Sequence, residues 1–252
     1  MTPNNDAPTW RNKVPDITLG FWIVKIMSTT VGETLADYLD MDLGLGSLIT
    51  GVSMGGLLVL ALTAQMRSQR FTPWVYWLTV VLVSVVGTQI TDALTDGLDV
   101  SLYVSTAAFS AALAAVFALW YRQEGTLSIQ AINTPRREAF YWVAILCTFA
   151  LGTAAGDLAT EALGLGFQWG AVAFGVLIAL IALAAHRGAN AVLAFWAAYI
   201  LTRPLGAALG DLLAQARADG GLGVGAMGTS IVFLTCIAAL VLKEQRREHS
   251  AA

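Results

Sequence analysis

Residues 141–157 read YWVAILCTFALGTAAGD, an apolar segment that opens on Tyr-Trp and ends on Gly-Asp. The same pattern, aromatic-Trp-x9-Gly-x3-small-Asp, occurs four times along the chain. Its aromatic pairs are Phe21-Trp22, Tyr76-Trp77, Tyr141-Trp142 and Phe195-Trp196, its glycines are Gly32, Gly87, Gly152 and Gly206, its small residues are Ala36, Thr91, Gly156 and Gly210, and its aspartates are Asp37, Asp92, Asp157 and Asp211. Four matches in register indicate an internal fourfold repeat.

The composition is that of a membrane protein. The 252 residues are 57% hydrophobic and 12% charged, with a mean hydropathy of +0.68, whereas a soluble domain carries roughly a quarter charged residues. The net charge of −3 leaves no basic surface for nucleic acid. Together these values exclude a disordered chain, a nucleic-acid-binding protein and a conventional soluble enzyme.

Eight apolar runs are long enough to be membrane spans, since a helix needs about 20 apolar residues to cross a bilayer. They cover residues 17–39, 46–66, 74–96, 100–121, 139–160, 166–185, 190–214 and 224–242. None has the alternating pattern of a barrel strand, so all eight are predicted to be helices.

The positions of the basic residues predict the orientation of the spans. Of the 14 Lys and Arg residues, eleven flank one set of span ends and only Arg217 lies on the other. By the positive-inside rule, both termini are predicted to be cytoplasmic. The predicted fold is therefore an all-α membrane protein of eight transmembrane helices, arranged as four parallel two-helix repeats. Its predicted parts are an N-terminal tail (1–15), one membrane domain (16–243, with repeats at about 16–70, 71–125, 136–187 and 190–243) and a C-terminal tail (244–252).

Each element of the repeat has a physical interpretation. The tryptophans Trp22, Trp77, Trp142 and Trp196 are predicted to anchor the helices at the membrane interface. The Gly-x3-small pairs let a second helix backbone approach closely, so Gly32, Gly87, Gly152, Gly156, Gly206 and Gly210 are predicted helix-packing residues. Each aspartate follows its tryptophan by 15 residues, which places all four aspartates at one depth.

These repeats, together with Thr126-Leu-Ser-Ile and Pro135-Arg-Arg-Glu-Ala-Phe-Tyr-Trp142, resemble a family of bacterial multi-pass inner-membrane proteins. That family is described as four tandem copies of a two-helix repeat of unknown function. The resemblance implies a bacterial inner-membrane location and supports the count of eight helices, but it implies no activity. The fourth copy departs from the others because Arg203-Pro204 precedes its glycine.

Seven acids and two bases fall inside the predicted spans, and ionisable groups at that depth are functional candidates. The acids are Glu33, Asp37, Asp92, Asp96, Asp157, Glu161 and Asp211, and the bases are Lys25 and Arg203. Two bases cannot neutralise seven acids, and burial disfavours a charged carboxylate. Protons or cations are therefore expected at this layer, and a carboxylate-only lining suits hard ions such as Mn²⁺. The four repeated aspartates are thus hypothetical metal ligands. The alternative is that each aspartate only packs, by bonding a Ser or Thr or by pairing with a base.

The two bases allow different interpretations. Lys25 can reach the surface along its flexible stem or act as an internal counter-charge. Arg203 lies too near the middle of its span to do so, and is predicted to pair with Glu33 or an aspartate. That pair is either a structural salt bridge or a built-in counter-cation that is displaced during transport.

The leading functional hypothesis is a cation transporter coupled to protons, with a hard divalent metal such as manganese as a candidate substrate. Its predicted partners are the lipid bilayer and a small cation or proton; no cofactor is expected beyond a possible bound divalent cation, and the oligomeric state is open. The second hypothesis is a structural or accessory subunit, and the third is a membrane enzyme acting on a lipid-linked substrate. No catalytic residue is predicted. Gly51-Val-Ser-Met-Gly55 resembles a nucleophile motif, but it lies in a span. A serine nucleophile there would need a histidine at similar depth, whereas His186 is at the cytoplasmic end of its span and His249 is in the tail.

Overall fold

The described part of the chain forms eight α-helices, as predicted. The computed structural model describes residues 12–251, with side chains to residue 246. Its helices are α1 (Leu19–Asp37), α2 (Gly46–Arg67), α3 (Pro73–Thr95), α4 (Leu102–Glu124), α5 (Pro135–Asp157), α6 (Gly166–His186), α7 (Ala191–Ala214) and α8 (Ala226–Ala251). No strand occurs within residues 12–251, which confirms the all-α class.

Seven of the eight helices are long and apolar enough to cross a membrane, so the chain has the architecture of a membrane protein. The exception is α1, which carries Lys25, Glu33 and Asp37 as well as a run of hydroxyl residues at positions 28–30. Since nearly all of these polar side chains are buried, α1 depends on its neighbours to shield them.

The helices α1, α3, α5 and α7 begin at polar capping residues. The side chains of Thr18 and Thr134 accept hydrogen bonds from the first turns of α1 and α5, and Asn190 does so for α7. Pro73 and Pro135 occupy the first helical position, where a missing N–H has no consequence. All four helices therefore start a short distance before the motif tryptophan of their repeat, α5 with the longest lead.

These four helices, called here the inner helices, form a closed ring. Contacts run from α1 to α3, α3 to α5, α5 to α7, and from α7 back to α1. The basic end of the ring is the end at which the inner helices begin; it also holds Arg67, Arg122 and Arg187, at or just past the ends of α2, α4 and α6. The acidic end is the end at which the inner helices finish, beside their repeated aspartates.

The outer helices pack across the repeat boundaries. Helix α2 lies mainly on α3, α4 on α5, α6 on α7, and α8 on α1. Each two-helix repeat therefore contributes its second helix to the neighbouring unit, and the last repeat returns to the first. The sequence repeat is thus not the packing unit of the fold.

The motif glycines lie where neighbouring inner helices come closest. The facing pairs are Gly32 with Ser84, Gly87 with Phe149, Gly152 with Arg203, and Gly206 with Thr29. A methyl group on Gly87 would lie 2.6 Å from the Cβ of Phe149, a separation that real carbon atoms do not adopt. Each facing residue stands three positions before a glycine of the next repeat, so the contacts follow a pseudo-fourfold axis. Gly156 and Gly210 continue the contact one turn further, against Pro204 and Thr34.

The aromatic residues of the motif form a second ring at the basic end. This aromatic cluster consists of Phe21, Trp22, Tyr76, Trp77, Tyr141, Trp142, Phe195 and Trp196. Within each repeat, the Phe or Tyr ring lies edge-on to the tryptophan that follows it, with ring centroids 5.1 to 5.3 Å apart. Each first ring also meets the tryptophan of a neighbouring repeat, as Tyr76 meets Trp142 at 5.5 Å. Three of the four tryptophans, which were predicted as interface anchors, are buried inside the bundle. The structure therefore gives these rings a packing role that the sequence interpretation did not include.

The end of the predicted N-terminal tail is part of the folded structure. Lys13 is buried, and its ammonium lies 2.6 Å from the carboxylate of Glu138 on α5. Gln65 on α2 donates to the same carboxylate, and Val14 is buried beside them. Residues 1–11, which include Arg11, lie outside the described part of the chain. At the other terminus α8 continues to Ala251, through most of the predicted C-terminal tail.

The hairpin turns at the acidic end repeat a left-handed backbone position. Gly44, Gly164 and Gly223 hold it with φ between 67° and 75°. In the second repeat the equivalent residue is Asp99, with φ of 55°, and it is the only non-glycine with positive φ in the described chain. A five-residue π-helical segment precedes the turn in the first and third repeats, at Tyr38–Asp42 and Leu158–Ala162.

Candidate functional site

A cavity of about 170 Å³ lies on the axis of the ring, at the acidic end. All seven acids singled out in the sequence line it. The lining residues are Glu33, Asp37, Met41, Asp92, Thr95, Asp96, Leu102, Asp157, Glu161, Phe167, Asp211 and Gln215. Four inner helices of equal direction bring the four motif aspartates to it, and we call it the acidic cavity.

The acidic cavity is graded from a closed floor to an open mouth. Glu33 is 7% exposed and lies one turn deeper than Asp37 on α1. The four motif aspartates form the middle layer, in which Asp211 is 8% exposed and the other three are half-buried. Asp96 and Glu161 are exposed. The cavity therefore opens toward the acidic end and closes at Glu33.

The four motif aspartates receive no hydrogen bond from residues 12–246, the part of the chain with described side chains. None of their side-chain oxygens accepts a hydrogen bond or joins an ion pair with any residue in the described part of the chain, although Asp211 is almost fully buried. Buried carboxylates are normally paired or hydrogen-bonded, because an isolated charge is costly to remove from water. A proton, water or a cation from outside the chain must therefore complete this layer.

Glu33, in contrast, is paired with Arg203. The sequence predicted either Glu33 or an aspartate as the partner of that base. The guanidinium Nη2 lies 2.5 Å from Glu33 Oε2, and Arg203 is 0% exposed. The same guanidinium donates to the Thr29 carbonyl at 2.8 Å and to the Thr153 hydroxyl, and it also donates to the Thr88 hydroxyl. Because these partners belong to α1, α3 and α5, one side chain of α7 ties together all four inner helices.

Lys25 lies below this pair, toward the basic end, and is 1% exposed. Its ammonium nitrogen sits 3.9 Å from the centre of the Phe149 ring and 4.3 Å from the centre of the Tyr199 ring. No oxygen of the described chain accepts a hydrogen bond from it. The Lys25 side chain therefore stays inside the bundle and does not extend to the surface.

The acids do not form a ready-made metal site. Within the described residues, no three His, Cys, Asp or Glu side chains are arranged closely enough to hold a metal ion. A metal ion in this cavity would have to keep part of its water shell, or draw the aspartates together.

Sequence reasoning missed the side chains that surround the two bases. Thr88 and Thr153 follow the motif glycines of the second and third repeats, at the position that Glu33 holds in the first. Similarly, Phe149 stands at the repeat position of Arg203, and Tyr199 at that of Lys25. Aligning the four repeats column by column would have found these four residues, because a pseudo-fourfold axis brings equivalent positions to the same level.

Comparison with protein families identifies the class. The pattern of a family described as a Repeat of Unknown Function (DUF347) matches residues 20–71, 75–126, 140–189 and 194–250. The chain belongs to this family, and the four matches agree with the repeats found in the sequence. Comparison with curated proteins and with solved structures finds no match.

Proposed function

We propose that the protein is a bacterial inner-membrane cation transporter, coupled to protons, with the acidic cavity as its substrate site and with no enzymatic activity. The supporting observation is that four motif aspartates line one cavity without a donor from the described chain. A carboxylate layer of this kind exchanges protons for cations, since either species removes the cost of buried negative charge.

The proposed orientation puts the basic end in the cytoplasm, by the positive-inside rule. In that orientation the acidic cavity opens outward. The aromatic cluster and the Lys13–Glu138 pair close the cytoplasmic side.

Arg203 has a specific part in this proposal. Its guanidinium neutralises Glu33 at the floor of the cavity, where it acts as a built-in counter-cation. A substrate cation that reaches Glu33 competes with Arg203, and release of the guanidinium loosens its contacts with α1, α3 and α5 at once. Binding is thereby linked to rearrangement of the whole inner ring.

A hard divalent ion such as Mn²⁺ is the first substrate to test, because the polar lining is almost entirely carboxylate oxygen. The second candidate function is a structural or accessory subunit. The fully bonded Arg203 network favours it, since such a network serves helix packing without any transport.

The test is the thermal stability of the purified protein in detergent, measured across Mn²⁺, Mg²⁺, Ca²⁺, Zn²⁺, Na⁺ and pH. A ligand that binds only the folded state raises the midpoint Tm by mass action. We expect a saturable rise for the substrate ion and its loss in the double variant Asp92→Asn/Asp157→Asn.

The matched control is Asp16→Asn/Asp99→Asn, which removes the same number of charges at exposed positions outside the cavity. It should respond to the ion as the wild type does. If no ion shifts the wild-type midpoint and both double variants have the same pH profile, the cation site is disproved and the structural role is favoured.

A further inference from the structure

The surroundings of Lys25 contain a cation site built from aromatic rings. Its ammonium lies between the faces of Phe149 on α5 and Tyr199 on α7, at 3.9 and 4.3 Å from their centres. Both rings are at most 1% exposed. Ring faces carry partial negative charge and attract cations at this distance.

No other group in the described structure holds this ammonium. It has no hydrogen-bond acceptor and no carboxylate partner. A second cation, Arg203, also faces the Phe149 ring, with its guanidinium carbon 5.9 Å from the ring centre. The two rings therefore provide the recognition of the positive charge.

The aromatic pair lies next to the ion pair that closes the acidic cavity. Phe149 packs against Gly87 at the contact between α3 and α5, and Tyr199 is one helical turn from Arg203 on α7, toward the basic end. Arg203 in turn holds Glu33, which lines the cavity. The Glu33–Arg203 pair therefore links the acidic cavity to the aromatic pair.

Aromatic faces select a particular kind of cation. They bind ammonium groups well, whereas Mg²⁺ and similar divalent ions require oxygen ligands and give up water reluctantly. The carboxylates of the acidic cavity attract either kind of cation, so the aromatic pair is what distinguishes the two classes.

We propose that Phe149 and Tyr199 form an inner site for an ammonium-type cation, occupied in this conformation by the ammonium of Lys25 as a tethered substitute for the substrate. The inference rests on the proposed transport function and names its substrate class as a small primary ammonium ion. Lys25 must leave the rings before the transported ion enters them, so the tethered group also closes the path.

The first experiment replaces the tethered cation with a free one. Lys25→Ala removes the ammonium and three methylene groups, which propylammonium supplies in almost the same shape. We expect propylammonium to raise the Tm of Lys25→Ala with the logarithmic concentration dependence of one site, by about 5 °C at roughly ten times its Kd, and 1-propanol, which has no charge, to have no such effect. The response should be absent from Lys25→Met, in which an apolar chain fills the site, and from Lys25→Ala/Phe149→Leu. No response to propylammonium, or an equal response to 1-propanol, would overturn the aromatic site.

The second experiment uses the wild-type protein and holds even if Lys25→Ala does not fold. Uptake of methylammonium and of Mn²⁺ is measured in proteoliposomes under a pH gradient, with protein-free vesicles to subtract passive entry. We expect methylammonium uptake, its loss in Asp92→Asn/Asp157→Asn, and at least a tenfold reduction in Phe149→Leu. Uptake of Mn²⁺ alone would overturn the ammonium class and leave the transport proposal standing, whereas uptake of neither ion would overturn both.

Discussion

The two ends of the inner ring are built from the same repeat, yet they differ in how their side chains are satisfied. At the basic end every motif ring packs against two or more others, and the Tyr76 and Tyr141 hydroxyls share a hydrogen bond of 2.6 Å. At the acidic end the motif aspartates meet an open cavity and receive no donor from the described chain. A single repeated segment therefore produces one closed end, which supplies stability, and one incomplete end, which is available for a ligand.

The largest effect should come from breaking the one fully bonded ion pair at the floor of the cavity. Arg203→Met removes the guanidinium but keeps the stem that packs on Gly152. It leaves the buried Glu33 carboxylate without its cation, with only the Thr88 hydroxyl at 3.4 Å as donor, and we expect a loss of about 3–5 kcal/mol in the free energy of unfolding, as for other broken buried pairs. Denaturant unfolding in detergent measures it.

Two further variants test whether the loss of stability comes from the stranded Glu33 carboxylate. Adding Glu33→Gln to Arg203→Met should recover most of the lost stability, because the stranded charge is then gone. Asp157→Asn alone should cost nothing in cation-free buffer, because Asp157 has no donor to lose. If the Arg203→Met/Glu33→Gln double variant is as unstable as Arg203→Met, the cost does not come from the carboxylate.

The next largest effect is expected at the contact between α3 and α5, where Gly87 faces Phe149. Gly87→Ala places a methyl group 2.6 Å from Phe149 and should destabilise the protein by about 1–3 kcal/mol, the usual cost of overpacking. The control is Gly55→Ala on α2, where nothing lies within 4 Å of the added carbon and helix propensity favours alanine. Thermal unfolding of the two variants should therefore shift Tm in opposite directions, and equal shifts would contradict the close approach.

A smaller effect is expected within the closed end. Tyr141→Phe leaves the buried Tyr76 hydroxyl without its partner and should cost about 1 kcal/mol. The double variant Tyr76→Phe/Tyr141→Phe removes both hydroxyls and should be close to the wild type, because neither member of this hydrogen-bonded pair is then stranded. A double-mutant cycle of unfolding free energies measures the coupling, and simple additivity would count against the hydrogen bond.

The smallest effect is a gain at the open end. Asp99 holds a left-handed conformation that glycine occupies in the other three repeats. Asp99→Gly should therefore raise the unfolding free energy by about 0.5 kcal/mol, since glycine adopts positive φ without steric cost. The reverse change, Gly44→Asp, should lower it by a similar amount in the same assay.

Much of the architecture could be predicted from the sequence, because hydropathy and the repeat are local properties. The eight helices and the common level of Asp37, Asp92, Asp157 and Asp211 follow from run length and from the 15-residue spacing. The transfer of each outer helix to the next unit could not be predicted. It depends on which apolar faces pack best, and α2, α4, α6 and α8 are apolar on nearly every face.

The site itself was only half predictable, for a similar reason. Composition indicated excess acid and a partner for Arg203, but the position of Lys25 depends on what α5 and α7 place opposite it. Phe149 and Tyr199 are ordinary apolar-run residues within their own repeats, and only an alignment of the four repeats places them at the positions of Arg203 and Lys25. In the same way, nothing in the first 15 residues indicated that Lys13 reaches Glu138.

The pairing of Glu33 with Arg203 also bears on how the chain is assembled. The two residues are 170 positions apart, and α8, the outer helix that covers α1, follows α7 in the chain. During synthesis from the N-terminus, the polar helix α1 therefore precedes both its neutralising charge and its cover. We expect α1 to reach its final packing only after α7 and α8 have been synthesised, so the first inner helix should be the last to be fully shielded.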